Sequence, residues 1–280
     1  MHTELTSDLT AKILNGIQIP PCPDSLTSIL RAAKHPSADF ASIANLISKD
    51  AGITGPLLKL ANSPFIGLRS KVTSVLQAVN VLGMQNTLNL VQNIALRQSL
   101  SGNSQSFEKF WERSSMTASI AEKIAARFPE VSRDHAYIAA LFHDCGIPVL
   151  MMKFPDYRET VMAQSKQGRN ICEIENSVFS TTHTVVGNML TRSWMLPLQI
   201  CKAILLHHDE SIFHAATSAI EPEVRNLVGI VHMAECIVDE HLAAKGEWHL
   251  FERAILEHFE LSAQEFFELK QDILAVLNGE

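Results

Sequence analysis

The chain has 280 residues, 46% of them hydrophobic and 19% charged, and a formal net charge of −7. That is enough chain for one or two domains with a full apolar core, so no disulfide or metal staple is needed for folding. The acidic balance argues against nucleic acid as the main partner, because binding a phosphate backbone requires a basic face. Ser25 to Lys34 sets Leu26, Ile29 and Leu30 on one helical face, with Asp24 as the expected N-cap. Ser37 is expected to cap the next helix, along which Phe40, Ile43, Ala44 and Ile47 share a side. Gly52 should separate it from a helix through Leu57, Leu58 and Leu60, stopped by the Asn62-Ser63-Pro64 turn. Val75, Ala78, Val79 and Leu82 repeat the pattern up to Gly83, and a further helix is predicted from about Met84 to Leu100.

The polar stretch Ser101 to Ser106 reads as a subdomain boundary. A long helix from about Phe107 to Arg127 follows, and Ser132 opens another that carries His143 and Asp144 at its end, near Gly146. Pro155 to Gln167 and Ile171 to Phe179 read as short helices. Thr181 or Thr182 caps a helix bearing His183, and Pro197 suits the first turn of one ending in His207 and His208. Pro222 starts a long helix carrying His232 and Glu235. Ser262 and Glu265 form a capping box for the last helix, whose Phe266, Leu269, Ile273 and Leu277 share a face. No convincing period-two segment appears, so the fold class is all-α. The expected division is 1–103, an N-terminal helical subdomain; 104–245, a helical core with a histidine pocket; and 246–280, C-terminal helices packed on that core.

No apolar run reaches the roughly 20 residues of a bilayer span, and the N-terminus lacks the basic and apolar regions of a signal peptide. A cytoplasmic protein without membrane contact is therefore expected. The cysteines Cys22, Cys145, Cys172, Cys201 and Cys236 are scattered and form no CxxC, which predicts reduced, mostly buried thiols.

Ten of the twelve histidines lie between His135 and His258, which directs the search for chemistry to the second half. His143-Asp144 couples an imidazole to a carboxylate, a donor pair suited to zinc, iron or manganese, although a lone His-Asp pair is more often an exposed helix end. His207-His208 point about 100° apart on a regular helix and can share one centre only where the helix unwinds. His183 has Gly187 on the same face, which lets another helix approach closely. Glu235 sits among apolar residues and needs a cation, a metal or several donors if buried. Taken in order, four helices could each bring ligands to one interior point of a bundle.

That order, with the stretches IPPCPDSLTSIL, SKDAGITGPLLKLANSPFIGL, AYIAALFHDCGIPVL and TTHTVVGNMLTRSWMLP, resembles the HD superfamily of metal-dependent phosphohydrolases and, much more closely, its HDOD branch of bacterial signalling proteins. The resemblance spans roughly residues 15 to 240 and implies an HD-type helical bundle with an N-terminal helical subdomain. Carried over by position, it makes His143, Asp144, His183, His207, His208 and Glu235 the metal-pocket residues. Where an active HD hydrolase has its first histidine, this chain has Arg113. The lysine that often follows the pair in cyclic-dinucleotide phosphodiesterases is replaced by Ile147, and HHDESIFHA contains no GYP-type motif.

Arginine stays protonated and cannot ligate. Arg113 is expected to pair with Asp144 or Glu235, leaving Asp144, His183, His207 and His208 for at most one divalent ion of iron, zinc or manganese. The resemblance thus implies a stand-alone signalling module acting through a protein partner. The alternative is a metal-dependent phosphohydrolase of nucleotides or cyclic dinucleotides, with Asp144 and Arg113 as catalytic candidates. A phosphate-containing ligand in the pocket and a homodimer built on the C-terminal helix are further expectations.

Overall fold

A computed structural model describes residues 16–62, 71–101, 107–165, 169–214 and 220–278. Every regular element among them is helical, and they fall into two units, 20–105 and a second comprising 106–280 with the start of the chain. In the first unit, α1 (Asp24–Ala33), α2 (Phe40–Ser48), α3 (Ala51–Ala61), α4 (Val75–Leu82) and α5 (Met84–Ser101) enclose Leu26, Ile29, Ile43, Ile47, Ile53, Leu57 and Val79.

The caps here differ from expectation. Asp24 is the first helical residue after Pro23, not a cap, and favours the positive end of the helix dipole from there. Asp39 caps α2 by accepting from the Ser42 amide, while the Ser37 hydroxyl is tied to His35. Phe40 is correspondingly exposed. Gly52 lies inside α3, because Asp50 accepts from the Gly52 and Ile53 amides and starts the helix. Asn62 ends α3 by bonding the carbonyl of Leu58 and both backbone groups of Val72. Ser63 and Pro64, like 102–106 of the expected boundary, lie outside the described residues.

The second unit is built on α6 (Glu108–Ala125), α7 (Arg133–Phe142) and α12 (Pro222–His241), which pack on one another. Between α7 and α12 in sequence come α8 (Gly146–Lys153), α9 (Ile171–Phe179), α10 (His183–Ser193) and α11 (Leu198–Leu206). The helix Gly146–Lys153 is an element the sequence reading omits. The segment expected as a helix from Pro155 holds a π-helical stretch, Arg158–Met162. Two last helices, α13 (Trp248–His258) and α14 (Ala263–Asn278), pack against α12. The capping box of α14 is present: the Ser262 amide donates to Glu265 Oε2 at 2.8 Å and the Glu265 amide to Ser262 Oγ at 3.2 Å.

Arg133–Lys153 is long and apolar enough by composition to cross a membrane, but 78% of its apolar window is buried in the fold. Its helix also breaks at His143, so it is the central core element of this unit. All five cysteines are free; Cys145 and Cys201 are buried, whereas Cys22, Cys172 and Cys236 are only partly so.

One backbone approach positions the site. Gly146, at the start of α8, lies against the start of α10 so closely that a Cβ there would sit 2.0 Å from the His183 carbonyl oxygen. At Gly187 a Cβ would meet Ile204 at 3.1 Å and Cys145 Sγ at 3.3 Å, contacts that side chains can relieve. Gly146→Ala should therefore cost about 3 kcal/mol or more, beyond ordinary overpacking, and Gly187→Ala about 1 kcal/mol. Urea unfolding followed by circular dichroism checks the order of the two.

Candidate metal centre

The α-helical ladder of α7 ends at Phe142 and resumes at Gly146, and this turn lets both His143 and Asp144 face inward. His143 Nδ1 donates to the Ala140 carbonyl at 2.7 Å. Its Nε2 then faces Asp144 Oδ2 at 3.1 Å and Glu235 Oε1 at 3.4 Å. Thr182, not Thr181, caps α10, so His183 occupies the first helical position, fully buried. Glu175 of α9 accepts with Oε2 from both the His183 amide (2.9 Å) and its Nδ1 (2.8 Å). The Tyr157 hydroxyl donates to the other Glu175 oxygen.

Helix α11 stops at Leu206, and His207 and His208 follow in a turn, as their shared use requires. His207 Nδ1 donates to the Ile204 carbonyl at 2.8 Å, and His208 Nδ1 is bonded to Glu247 Oε2 at 2.6 Å. Asp144, His183, His207 and His208 can thus bring one donor atom each to within 4.8 Å of the others. His143 belongs instead to a second group, with Asp144 and Glu235.

Proton placement decides what the first group can hold. A carbonyl and a carboxylate can only accept, so Nδ1 carries the proton in His207 and His183. In the neutral rings both Nε2 lone pairs then face Asp144 Oδ1, at 3.5 and 3.4 Å, and face each other at 3.4 Å. Three lone pairs converging without a proton repel, so a positive charge belongs between them. Bonds of about 2.0–2.1 Å to a tetrahedral ion give ligand–ligand edges of about 3.3–3.4 Å, close to these spacings. Each ring's outer nitrogen is already held by a carboxylate or carbonyl, the usual arrangement around metal-bound imidazole. The residues therefore fit a divalent ion, with three imidazoles and one carboxylate suiting zinc, iron or manganese.

The charges agree with this reading. Burial pushes the His207 imidazole down to about 3, helped by the neighbouring His208. Burial also works against a charged His143, but Asp144 and Glu235 outweigh it and hold its imidazole well above the usual range. For His183, Glu175 and then Asp144 likewise overcome burial and raise it. Asp144 is held well below the carboxylate range, burial being outweighed chiefly by His143 beside it.

Arg113 faces this site from α6. It pairs with Glu235 (NH2 to Oε1, 3.1 Å), one of its two expected partners, but its second partner is Asp239 (NH1 to Oδ1, 2.6 Å), not Asp144. Asp239 lies four residues after Glu235, on the same helical face, so the spacing alone could have indicated it. Glu175, Tyr157 and Glu247 carry no comparable signal; only the fold brings them to the histidines. A cavity of about 130 Å³ borders the group, lined by Asp144, His208, Glu235, Asp239, Ile147 and Trp248 among others.

The HDOD domain model matches residues 19–210. The chain belongs to the HDOD domain family. An uncharacterized protein of Treponema pallidum (strain Nichols) is 25% identical over 264 residues, which cover 93% of this chain. The chain spans about half the length of that relative. Two solved structures share the fold. An HDOD domain protein of unknown function from Geobacter sulfurreducens aligns with a TM-score of 0.75 at 22% identity, over 99% of this chain and 96% of its own. A Shewanella amazonensis protein named as an inferred phosphohydrolase aligns at 0.72 and 19%, over 95% and 93%.

His207 gives this HDOD protein a specific acid response. Its folded value of about 3 lies below the unfolded value of about 6.5, so the unfolded chain binds the extra proton between them. Its contribution to stability is complete above about pH 6.5 and is lost as pH falls toward 3, by up to about 1.4 kcal/mol per pH unit. In chelator-treated protein, His207→Asn should lower the pH slope of the unfolding free energy in that window by up to one proton. Denaturant melts at successive pH values measure it.

Proposed function

We propose that this chain is a regulatory HDOD module of the bacterial cytoplasm. Its pocket holds one divalent ion on Asp144, His183, His207 and His208, and its output passes through protein contacts with a signalling partner, not through hydrolysis. The observation that carries this reading is the Arg113 guanidinium bonded to Glu235 and Asp239. It neutralises the carboxylate that faces His143 and, being a permanent cation, opposes a second metal ion there.

The charge around the cavity supports the same conclusion. Asp144, Glu235, Asp239 and Glu247 supply negative charge; Arg113, a protonated His143 and one divalent ion would match it. No surplus positive charge then remains for a phosphate dianion. Phosphodiester hydrolysis needs both an activated water and a cation on the phosphate, and Arg113 is already engaged by two acids.

The alternative reading, a metal-dependent phosphohydrolase of nucleotides or cyclic dinucleotides, draws on the cavity of about 130 Å³ beside Asp144. In that case Asp144, His183, His207 and His208 would hold a metal whose chemistry is to activate water, Asp144 would orient that water, and Arg113 would steady the phosphate. The name of the Shewanella amazonensis structure favours this second reading.

Two measurements separate the readings. Elemental analysis of protein purified without chelator should give close to one iron, zinc or manganese per chain, abolished in a His183→Ala, His208→Ala double variant; a metal-free wild type overturns the single-metal site. Incubation with manganese, iron(II) or zinc and a panel of nucleotides, cyclic dinucleotides and generic phosphodiesters should give no turnover. Turnover that disappears in Asp144→Ala establishes the hydrolase instead.

A further inference from the structure

Two contacts tie the consecutive histidines to the first turns of α13. Glu247, immediately before α13, bonds His208 Nδ1. One helical turn on, Phe251 stacks on His232 with ring centroids 3.8 Å apart and planes 20° apart. His232 Nε2 in turn donates to the His207 carbonyl at 2.5 Å. Helix α13 is bound onward to α14, where Trp248 packs on Phe266 with centroids 4.7 Å apart.

The connection leading to Glu247 is tightly set. Ala243 takes a left-handed conformation, with φ +50°. Gly246 lies so close to Asp239 that a Cβ would come 1.9 Å from its Oδ2. Asp239 is the same carboxylate that binds Arg113. Asp239, Gly246 and Glu247 all line the pocket, so the connection from α12 to α13 forms part of its wall.

The carboxylates behind His183 and His208 are not equivalent. Glu175 is wholly buried and receives donors from Tyr157 and from the backbone and ring of His183. Glu247 is a quarter exposed and arrives on an interhelical connection. The first is locked by its surroundings; the second holds its place only as α13 does.

We propose that Glu247 is the positioning residue for His208, through which the docking of α13 and α14 and the metal affinity of the pocket set each other. This rests on the single-metal reading above. An acceptor on Nδ1 leaves the Nε2 lone pair for the pocket and makes the imidazole a better ligand. By linkage, whatever factor Glu247 adds to metal affinity, the metal adds to the docking of Glu247 and its helix. The pocket's state is thereby written into the C-terminal helix pair, a surface that a protein partner can read.

Zinc titration calorimetry on the chelator-stripped full chain, paired with hydrogen–deuterium exchange across residues 246–258, tests the coupling. Zinc should slow exchange there in the wild type. Glu247→Ala should weaken zinc about 10- to 100-fold and remove that protection. Glu247→Gln, which retains an acceptor, should lose less. Melting of the zinc-free variants identifies any that fail to fold, and the wild-type exchange experiment stands without them. A wild type that binds zinc without protecting 246–258, or a folded Glu247→Ala chain with undiminished affinity, overturns the coupling alone. A wild type that takes up none of zinc, iron(II) and manganese(II) overturns the single-metal reading and this inference with it.

Discussion

The architecture of the second unit answers to one electrostatic constraint around Asp144 Oδ1. Two imidazole lone pairs point at this oxygen and at each other, and neither ring can turn its proton inward without releasing a buried acceptor. Rotating His183 would strip a donor from Glu175, a fully buried carboxylate; rotating His207 would strand the Ile204 carbonyl. Stranding such a group costs about 1–3 kcal/mol, and more for a charged one. The fold thus sets which ring nitrogen is held outward, and the atoms left facing inward call for positive charge between them, supplied by a metal ion or by a proton on His183.

Several local backbone features exist to satisfy that constraint. The interruption between α7 and α8 turns two adjacent residues inward, where a continuous helix would splay them about 100° apart. The end of α11 does the same for His207 and His208. Gly146 permits the start of α8 to lie directly on the His183 carbonyl. Each lets a ligand reach the common point.

The readable part of this arrangement was the part encoded by local chemistry. Periodic apolar positions marked most of the helices, and Ser132, Pro222 and the Ser262–Glu265 pair marked their starts. Where several cap formers lay close together, as at Ser37 and Asp39, composition could not choose between them; the decision fell to which one faces the free amides of the first turn. The helix expected from Ser132 stops near Gly146 and leaves α8 out, although Pro148 lies in the first turn of α8, where its missing N–H breaks no bond. The π-helical stretch falls inside the helix expected from Pro155 and differs only in its hydrogen-bond ladder, which apolar spacing does not encode. The inner ligands carried a legible order along the chain. Their outer partners did not: Glu175 and Glu247 are ordinary acids in sequence and gain meaning only from distance.

The family match ends at residue 210, whereas Glu235, Asp239 and Glu247 lie beyond it. The inner imidazoles and Asp144 therefore fall within the matched region, while the groups that neutralise Arg113 and orient His208 come from α12 and the connection that follows. These two parts of the pocket answer different physical demands. The inner set requires a fixed geometry, since a displacement of a few tenths of an ångström spoils a metal bond. The outer set requires only that an acceptor or a counter-charge be supplied, and many backbone paths can do that. A fold that keeps the first rigid and leaves the second to its C-terminal helices can hold one ion in place while altering how firmly it is held.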